Sequence, residues 1–181
     1  MNRQGYLKLI VGFSLMLSGV VRAGSPNEKL QLKANQSIKV AEEVVVNVRK
    51  RLDASKKLLN QISPQSSEYK QLESVTAQAK KSWQESLATL NRAKKFAGRI
   101  SSVSKKLAKD FTLLTITSAG IATANAKTVE MCLDYVEASA KKNKKGVVII
   151  KKVIADSLQD IADAKTNYEQ AKKLIVKGKS K

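Results

Sequence analysis

Apolar residues recur at alternating steps of three and four along most of the chain, which is the period of an amphipathic helix. The pattern predicts four long helices near residues 26–62, 67–97, 102–140 and 147–177. Only two prolines and eight glycines interrupt the chain, which favours long helices over a many-stranded sheet. We therefore predict an all-α fold, an elongated antiparallel helical bundle with coiled-coil-like seams.

The most regular repeat runs through the second predicted helix and the region that follows it. Two seams recur every seven residues, which is typical of helices packed side by side. The seams are Tyr69, Thr76, Trp83, Leu90, Ala97, Ser104 and Phe111, and Leu72, Ala79, Ser86, Ala93, Ile100, Leu107 and Leu114. Gly98 lies just off them and leaves two alternatives open, a turn that gives four helices or a continuous helix that gives three. We favour the turn because it makes the bundle compact.

One stretch of the third predicted helix, residues 111–126, has no charge, whereas charges recur every few residues elsewhere after residue 23. A helix without a charged face is usually packed by neighbours on several sides. The stretch spans roughly 24 Å, short of the ~30 Å hydrocarbon core, and it is rich in hydroxyl groups. Burial in the bundle is therefore favoured over membrane insertion. Its small residues four apart would also let a further helix approach, which keeps a homo-oligomer open.

The first 23 residues have the pattern of a secretory signal peptide. Arg3 and Lys8 supply positive charge before an apolar run at residues 9–21. Val21 and Ala23 are the small residues at the two positions that a signal peptidase recognises. No cysteine follows the run, so no lipoprotein anchor is indicated. The sequence predicts an exported protein, periplasmic or secreted. It also predicts a single helical-bundle domain at 24–181 that ends in a basic tail at 177–181.

The chain is strongly basic, with 34 Lys and Arg against 15 Asp and Glu and a net charge of +19. Removal of residues 1–23 takes away three basic residues and no acid, which lowers the charge to +16. Such a surface favours an acidic lipid, polymer or protein as partner. Nucleic acid is disfavoured, because the lysines are spread over every helix with few aromatic residues among them. The partner-binding residues we predict are Lys141, Lys142, Lys144 and Lys145 after the third helix, and Lys105, Lys106 and Lys109 at its start.

The residue types argue against catalysis and against a bound cofactor. The chain has no histidine, the side chain that most often transfers protons near neutral pH. Two acidic stripes could hold a cation on facing helices, but solvated faces are the favoured interpretation, and we predict no metal. The stripes are Glu130, Asp134 and Glu137, and Asp156, Asp160 and Asp163. The single cysteine, Cys132, either forms an intermolecular bond or, as we favour, lies buried.

The sequence therefore favours an exported, non-enzymatic binding or scaffold protein. Its lysine-rich helical faces would engage an anionic or protein partner in the cell envelope, with peripheral membrane contact left open. Three alternatives stand beside this hypothesis. They are a membrane-active protein that inserts residues 111–126, a periplasmic holdase-type chaperone, and an accessory subunit of a secretion system or pilus.

Overall fold

A computed structural model describes residues 26–60 and 62–177 of the chain. It contains four α-helices, α1 (Pro26–Leu59), α2 (Ser67–Ala97), α3 (Lys105–Ala140) and α4 (Lys144–Lys177), with a 3-10 helix at Ile100–Ser102 between α2 and α3. No strand occurs in this described part, so the prediction of an all-α, four-helix bundle is confirmed. The predicted signal peptide at 1–23 and residues 178–181 of the predicted tail lie outside the described residues.

Helix α3 is the centre of the bundle, because it packs against α1, α2 and α4. Helix α1 also packs against α2, whereas α4 packs mainly against α3. The Asn27 amide donates to the Val103 carbonyl at 3.0 Å, and Arg51 pairs with Asp134 further along both helices. These two contacts show that α1 and α3 run in the same direction. Helix α2 is antiparallel to α3, because Phe96 stacks on Phe111 and Ser86 bonds to Ala122. Helix α4 is antiparallel to α3 as well, because Val147 packs near Tyr135 and Ser157 bonds to Thr128.

Ten of the sixteen residues in the uncharged stretch of α3 are buried in the bundle, so the prediction of burial is confirmed for most of the stretch. Its buried members are Phe111, Thr112, Leu114, Thr115, Ser118, Ala119, Ile121, Ala122, Asn125 and Ala126. The hydroxyls of Thr112 and Thr115 each donate to the carbonyl four residues earlier at 2.8 Å. Such bonds satisfy polar side chains within the helix itself, so a threonine-rich helix can be buried without a large penalty. In the described part of the chain, no helix combines the length and apolar character needed to cross a membrane.

Two connections decide where the middle helices begin and end. Helix α2 ends at Gly98, which confirms the turn, but Gly98 has a right-handed conformation (φ −61°) instead of a left-handed cap. The chain then forms the 3-10 turn, so α3 begins at Lys105 and not near residue 102. At the other end of α2, Ser66 caps the helix by accepting the Tyr69 N–H at 3.0 Å. The helices are thus separated by short connections.

The connection from α3 to α4 differs from the sequence-based prediction. Lys142 adopts the left-handed conformation (φ 56°), and the Asn143 N–H reaches back to the Ala138 carbonyl at 2.9 Å. This is a Schellman-type helix end with lysine in the position that glycine usually takes. The Asn143 side chain then caps α4 by accepting the Gly146 N–H at 3.0 Å. Helix α4 therefore begins at Lys144 instead of near residue 147, and Gly146 lies in its first turn.

Candidate functional site

The lysines predicted to bind a partner form two groups at opposite ends of α3. Lys105, Lys106 and Lys109 lie in its first turns, and the group from Lys141 to Lys145 lies at the α3–α4 connection. All of them are exposed. A helix of this length separates the two groups by about 54 Å at 1.5 Å per residue. A small ligand could therefore contact only one group at a time.

The group at the α3–α4 connection continues onto the exposed side of α4. Val148 and Ile149 are 70% and 64% exposed there, more than the other exposed large apolar residues of the described chain, Leu32, Val46 and Leu113. Lys151 and Lys152 are exposed next to them. We call this surface the basic tip, and its members are Lys141, Lys142, Lys144, Lys145, Val148, Ile149, Lys151 and Lys152.

Helical geometry explains why the tip contains both charge and apolar side chains. In the run from Val147 to Ile150, successive residues are about 100° apart around the helix axis. Val147 and Ile150 pack against the core near Tyr135, together with Ile154 one turn later. Val148 and Ile149 must then point away from that core, between the lysines. Sequence reasoning missed the exposed pair, because the apolar residues of a helix are expected to face the core.

No acidic residue is present between Glu137 and Asp156, so the tip carries six positive charges without a negative one. None of its lysines takes part in an ion pair within the described chain. Glu137 is held by Arg51 at 3.1 Å. On the neighbouring α1–α2 side, the nearby Lys56 is paired with Asp53 at 3.1 Å. The basic tip is therefore the main source of positive potential at this end of the bundle.

Asp134 and Glu137 of the first acidic stripe form ion pairs with Arg51, whereas Asp163 of the second stripe accepts a hydrogen bond from Gln159 Nε2 at 3.0 Å. Arg51 Nη2 contacts Asp134 Oδ1 at 2.7 Å and Glu137 Oε1 at 3.1 Å, and the bond to Asp134 is the main cause that raises the pKa of Arg51. Across residues 26–60 and 62–177, no three histidine, cysteine or acidic side chains come together in a way that could hold a metal ion.

Cys132 lies in the core of the bundle with 1% of its surface exposed. Burial raises the pKa of its thiol to about 12, so the reactive thiolate is scarce near neutral pH. In the folded chain this sulfur packs as a small apolar side chain and is not accessible to a thiol of another molecule.

A cavity of about 320 Å³ lies between α2, α3 and α4. Glu85 pairs with Lys165 at its edge, and Arg92 pairs with Glu169 at 3.9 Å. Its lining residues are Glu85, Ala88, Thr89, Arg92, Ser118, Ile121, Lys165, Tyr168 and Glu169. The buried hydroxyls of Ser118 and Tyr168 have no hydrogen-bond partner among the described residues. Sequence reasoning missed the cavity, because it depends on which three helix faces meet.

One face of α3 is left uncovered by the other helices. Leu113 is 55% exposed, and the residues that follow it on this face are half-buried. They are Ile116, Thr117, Gly120, Thr123 and Ala124. At Gly120 an added Cβ would have no atom within 4 Å. This face is uncharged, so it is the surface that a further helix would contact.

No protein-family model, curated protein or solved structure matches the chain. A helical bundle is compatible with many unrelated functions, so the fold class alone does not indicate an activity. The surfaces of the bundle are therefore the guide to its function, and the basic tip is the most distinctive of them.

Proposed function

We propose that the chain is an exported, non-enzymatic binding protein that engages an anionic component of the cell envelope through its lysine-rich surface. The observation that carries the proposal is the basic tip, where six exposed lysines occur without an acidic residue between positions 138 and 155. Export depends on the signal peptide predicted at residues 1–23.

The arrangement of charge supports binding at one end of the bundle. Elsewhere, several exposed lysines pair with acids of neighbouring helices or of their own helix, as Lys94 does with Glu42 at 2.6 Å. Such pairs cancel much of the local field. The tip lysines have no ion pair in the described chain, so their fields add and attract an anion over about one Debye length, ~8 Å at physiological salt.

The test compares two variants with the same net charge. In residues 24–181, the tip variant K141Q/K142Q/K144Q/K145Q and the control K33Q/K39Q/K80Q/K81Q each lose four exposed lysines. Binding to polyglutamate and to polyphosphate is measured by fluorescence anisotropy over a salt series. We expect the tip variant to bind about tenfold more weakly than the control, because the local field and not the total charge concentrates the polyanion.

Two outcomes would contradict the proposal. Equal losses in both variants would mean that total charge attracts the polymers and that the tip is not the site. If the unaltered protein bound neither polymer at low salt, the anionic-partner function itself would be refuted.

Self-association is a second proposal, and it is supported by the uncovered face of α3. Because this face carries no charge, the strong positive charge of the chain does not directly oppose contact there. Chromatography with mass detection should show a dimer or larger species that Ile116→Lys converts to monomer. A monomer at all concentrations would contradict this proposal. Membrane insertion by residues 111–126 has less support, because α3 would have to leave the bundle to expose them.

A further inference from the structure

We propose that the basic tip is a docking site for an anionic lipid bilayer. Val148 and Ile149 insert among the lipid headgroups, and the surrounding lysines bind lipid phosphates. This inference rests on the proposed function, and it names the anionic partner.

Aliphatic and lysine side chains occur together on one outward face of α4. Val148 and Ile149 are largely exposed, and Lys144, Lys145 and Lys152 lie three to four residues from one of them along α4. Residues with this spacing are neighbours on a helix surface. The exposed aliphatic pair is thus surrounded by ammonium groups. A solvated polyanion would neutralise the lysines but would leave the aliphatic pair in water.

The surface of an acidic bilayer supplies phosphates for the lysines and, beneath them, an apolar layer for the aliphatic pair. Its phosphates lie outside an apolar layer, and a helix with lysines on its polar side can bury aliphatic side chains at that boundary. Lysine side chains are long enough to keep their ammonium groups at phosphate level while their stems lie along apolar surface. Clusters of four to eight basic residues are typical of surfaces that attract acidic lipid, and the tip has six.

The position of the tip in the fold favours a broad, flat partner. The chain reverses direction between Ala140 and Lys144, so the tip lies at one end of the bundle, and all of its residues are exposed. The cavity of about 320 Å³ is lined by other residues, from Glu85 to Glu169, and none of them belongs to the tip. An exposed end can contact a planar surface without any rearrangement of the helices, whereas a small ligand would have no enclosure there.

The test is co-flotation of the predicted mature chain, residues 24–181, with two kinds of vesicle. One is phosphatidylcholine alone, and the other contains phosphatidylcholine and phosphatidylglycerol in equal amounts. The apolar variant V148S/I149S has the matched control L32S/V46S, which removes two exposed aliphatic side chains from α1. The charge variant K144Q/K145Q has the matched control K80Q/K81Q, which removes two exposed lysines from α2. All substituted side chains are exposed, so the bundle should remain folded.

We expect the unaltered protein to bind only the phosphatidylglycerol vesicles and to retain part of this binding at high salt. V148S/I149S should weaken binding about tenfold and remove the part that resists salt, because only electrostatic attraction remains. K144Q/K145Q should weaken binding about fivefold for each lysine. The two control variants should bind like the unaltered protein.

Binding of V148S/I149S equal to that of the unaltered protein would overturn the inference, and so would equal losses in the matched controls. The polymer experiment separates this failure from failure of the proposed function. Protein that binds polyglutamate or polyphosphate through the tip but not the acidic vesicles would refute only the lipid docking. Protein that binds neither polymers nor vesicles would refute both.

Discussion

Two buried serines near the interface of α2 and α3 should respond in opposite ways to removal of their hydroxyl groups. Ser86 and Ser118 are both completely buried. The hydroxyl of Ser86 donates to the Ala122 carbonyl of α3 at 2.7 Å. The hydroxyl of Ser118 lines the cavity and has no partner among the described residues. Ser86→Ala therefore removes a hydrogen bond, whereas Ser118→Ala removes an unpaired polar group.

The expected magnitudes follow from these environments. Loss of the Ser86 hydrogen bond should lower the free energy of unfolding by about 1 kcal/mol. Removal of the unpaired Ser118 hydroxyl should raise it by about 1–3 kcal/mol, which is the desolvation penalty of such a group. The gain in helix propensity from serine to alanine is nearly the same at both positions and cancels in the difference. The two variants should thus differ by roughly 2–4 kcal/mol, or by roughly 4–16 °C in Tm for a chain of this size.

The assay is guanidinium chloride unfolding followed by the helical circular dichroism signal, with equal m-values required for the comparison. Ser74→Ala is the matched control, because Ser74 is an exposed serine within α2 and reports the helix propensity alone. The reasoning would be refuted if Ser118→Ala lowered stability as much as Ser86→Ala does. That result would mean that the Ser118 hydroxyl has a hydrogen-bond partner, such as a bound water, in the cavity.

Three further predictions concern single positions. Lys142→Gly should raise the unfolding free energy by about 0.5–1 kcal/mol in denaturant titration, because relief of the left-handed conformation exceeds the entropy cost of glycine; unchanged or lower stability would contradict this. Gly120→Ala should stabilise α3 by about 1 kcal/mol, since its Cβ meets no atom; a lower Tm would show that the space is needed. Burial raises the pKa of the Cys132 thiol to about 12, against 9.0 for an unperturbed thiol. Because the unfolded chain loses this proton first, the contribution of Cys132 to stability is complete below pH 9 and is lost as the pH rises towards 12. The stability of the native chain relative to Cys132→Val should therefore fall by up to about 1.4 kcal/mol per pH unit in that window, measured by unfolding at about pH 8 and about pH 10.5; a difference independent of pH would contradict the burial of the thiol.

The helices could be predicted because their signals are local. In α1 the apolar period from Ala34 to Leu59 matches the buried positions of the structure, since one side of a helix repeats every three to four residues whatever it packs against. The uncharged stretch of α3 was predicted to be buried for a similar reason, because a helix without a charged face loses little by leaving water. The break at Gly98 was a weaker prediction, because the heptad pattern continues across it and only the compactness of the bundle favoured a turn.

The candidate site could be predicted only in part. The lysines from Lys141 to Lys145 are visible as a dense group in the sequence, and their exposure follows from their charge. Their separation from Lys105 and its neighbours by the full length of α3 became clear with the helix bounds. The beginning of α4 at Lys144 depends on Asn143 as its cap, and the exposure of Val148 and Ile149 follows from the packing of Val147 and Ile150 on the core.

The sequence by itself determined the class of fold, the helical period and the excess of positive charge, because each depends on residue type and on neighbours within two turns of helix. Only the tertiary structure decided that α3 is central, that Val148 and Ile149 are exposed among the tip lysines, and that Ser118 and Tyr168 meet at a cavity. These features depend on which helix faces meet across long sequence separations. The periodic pattern shows that a face is apolar, but the packing of the helices selects the partner that covers it.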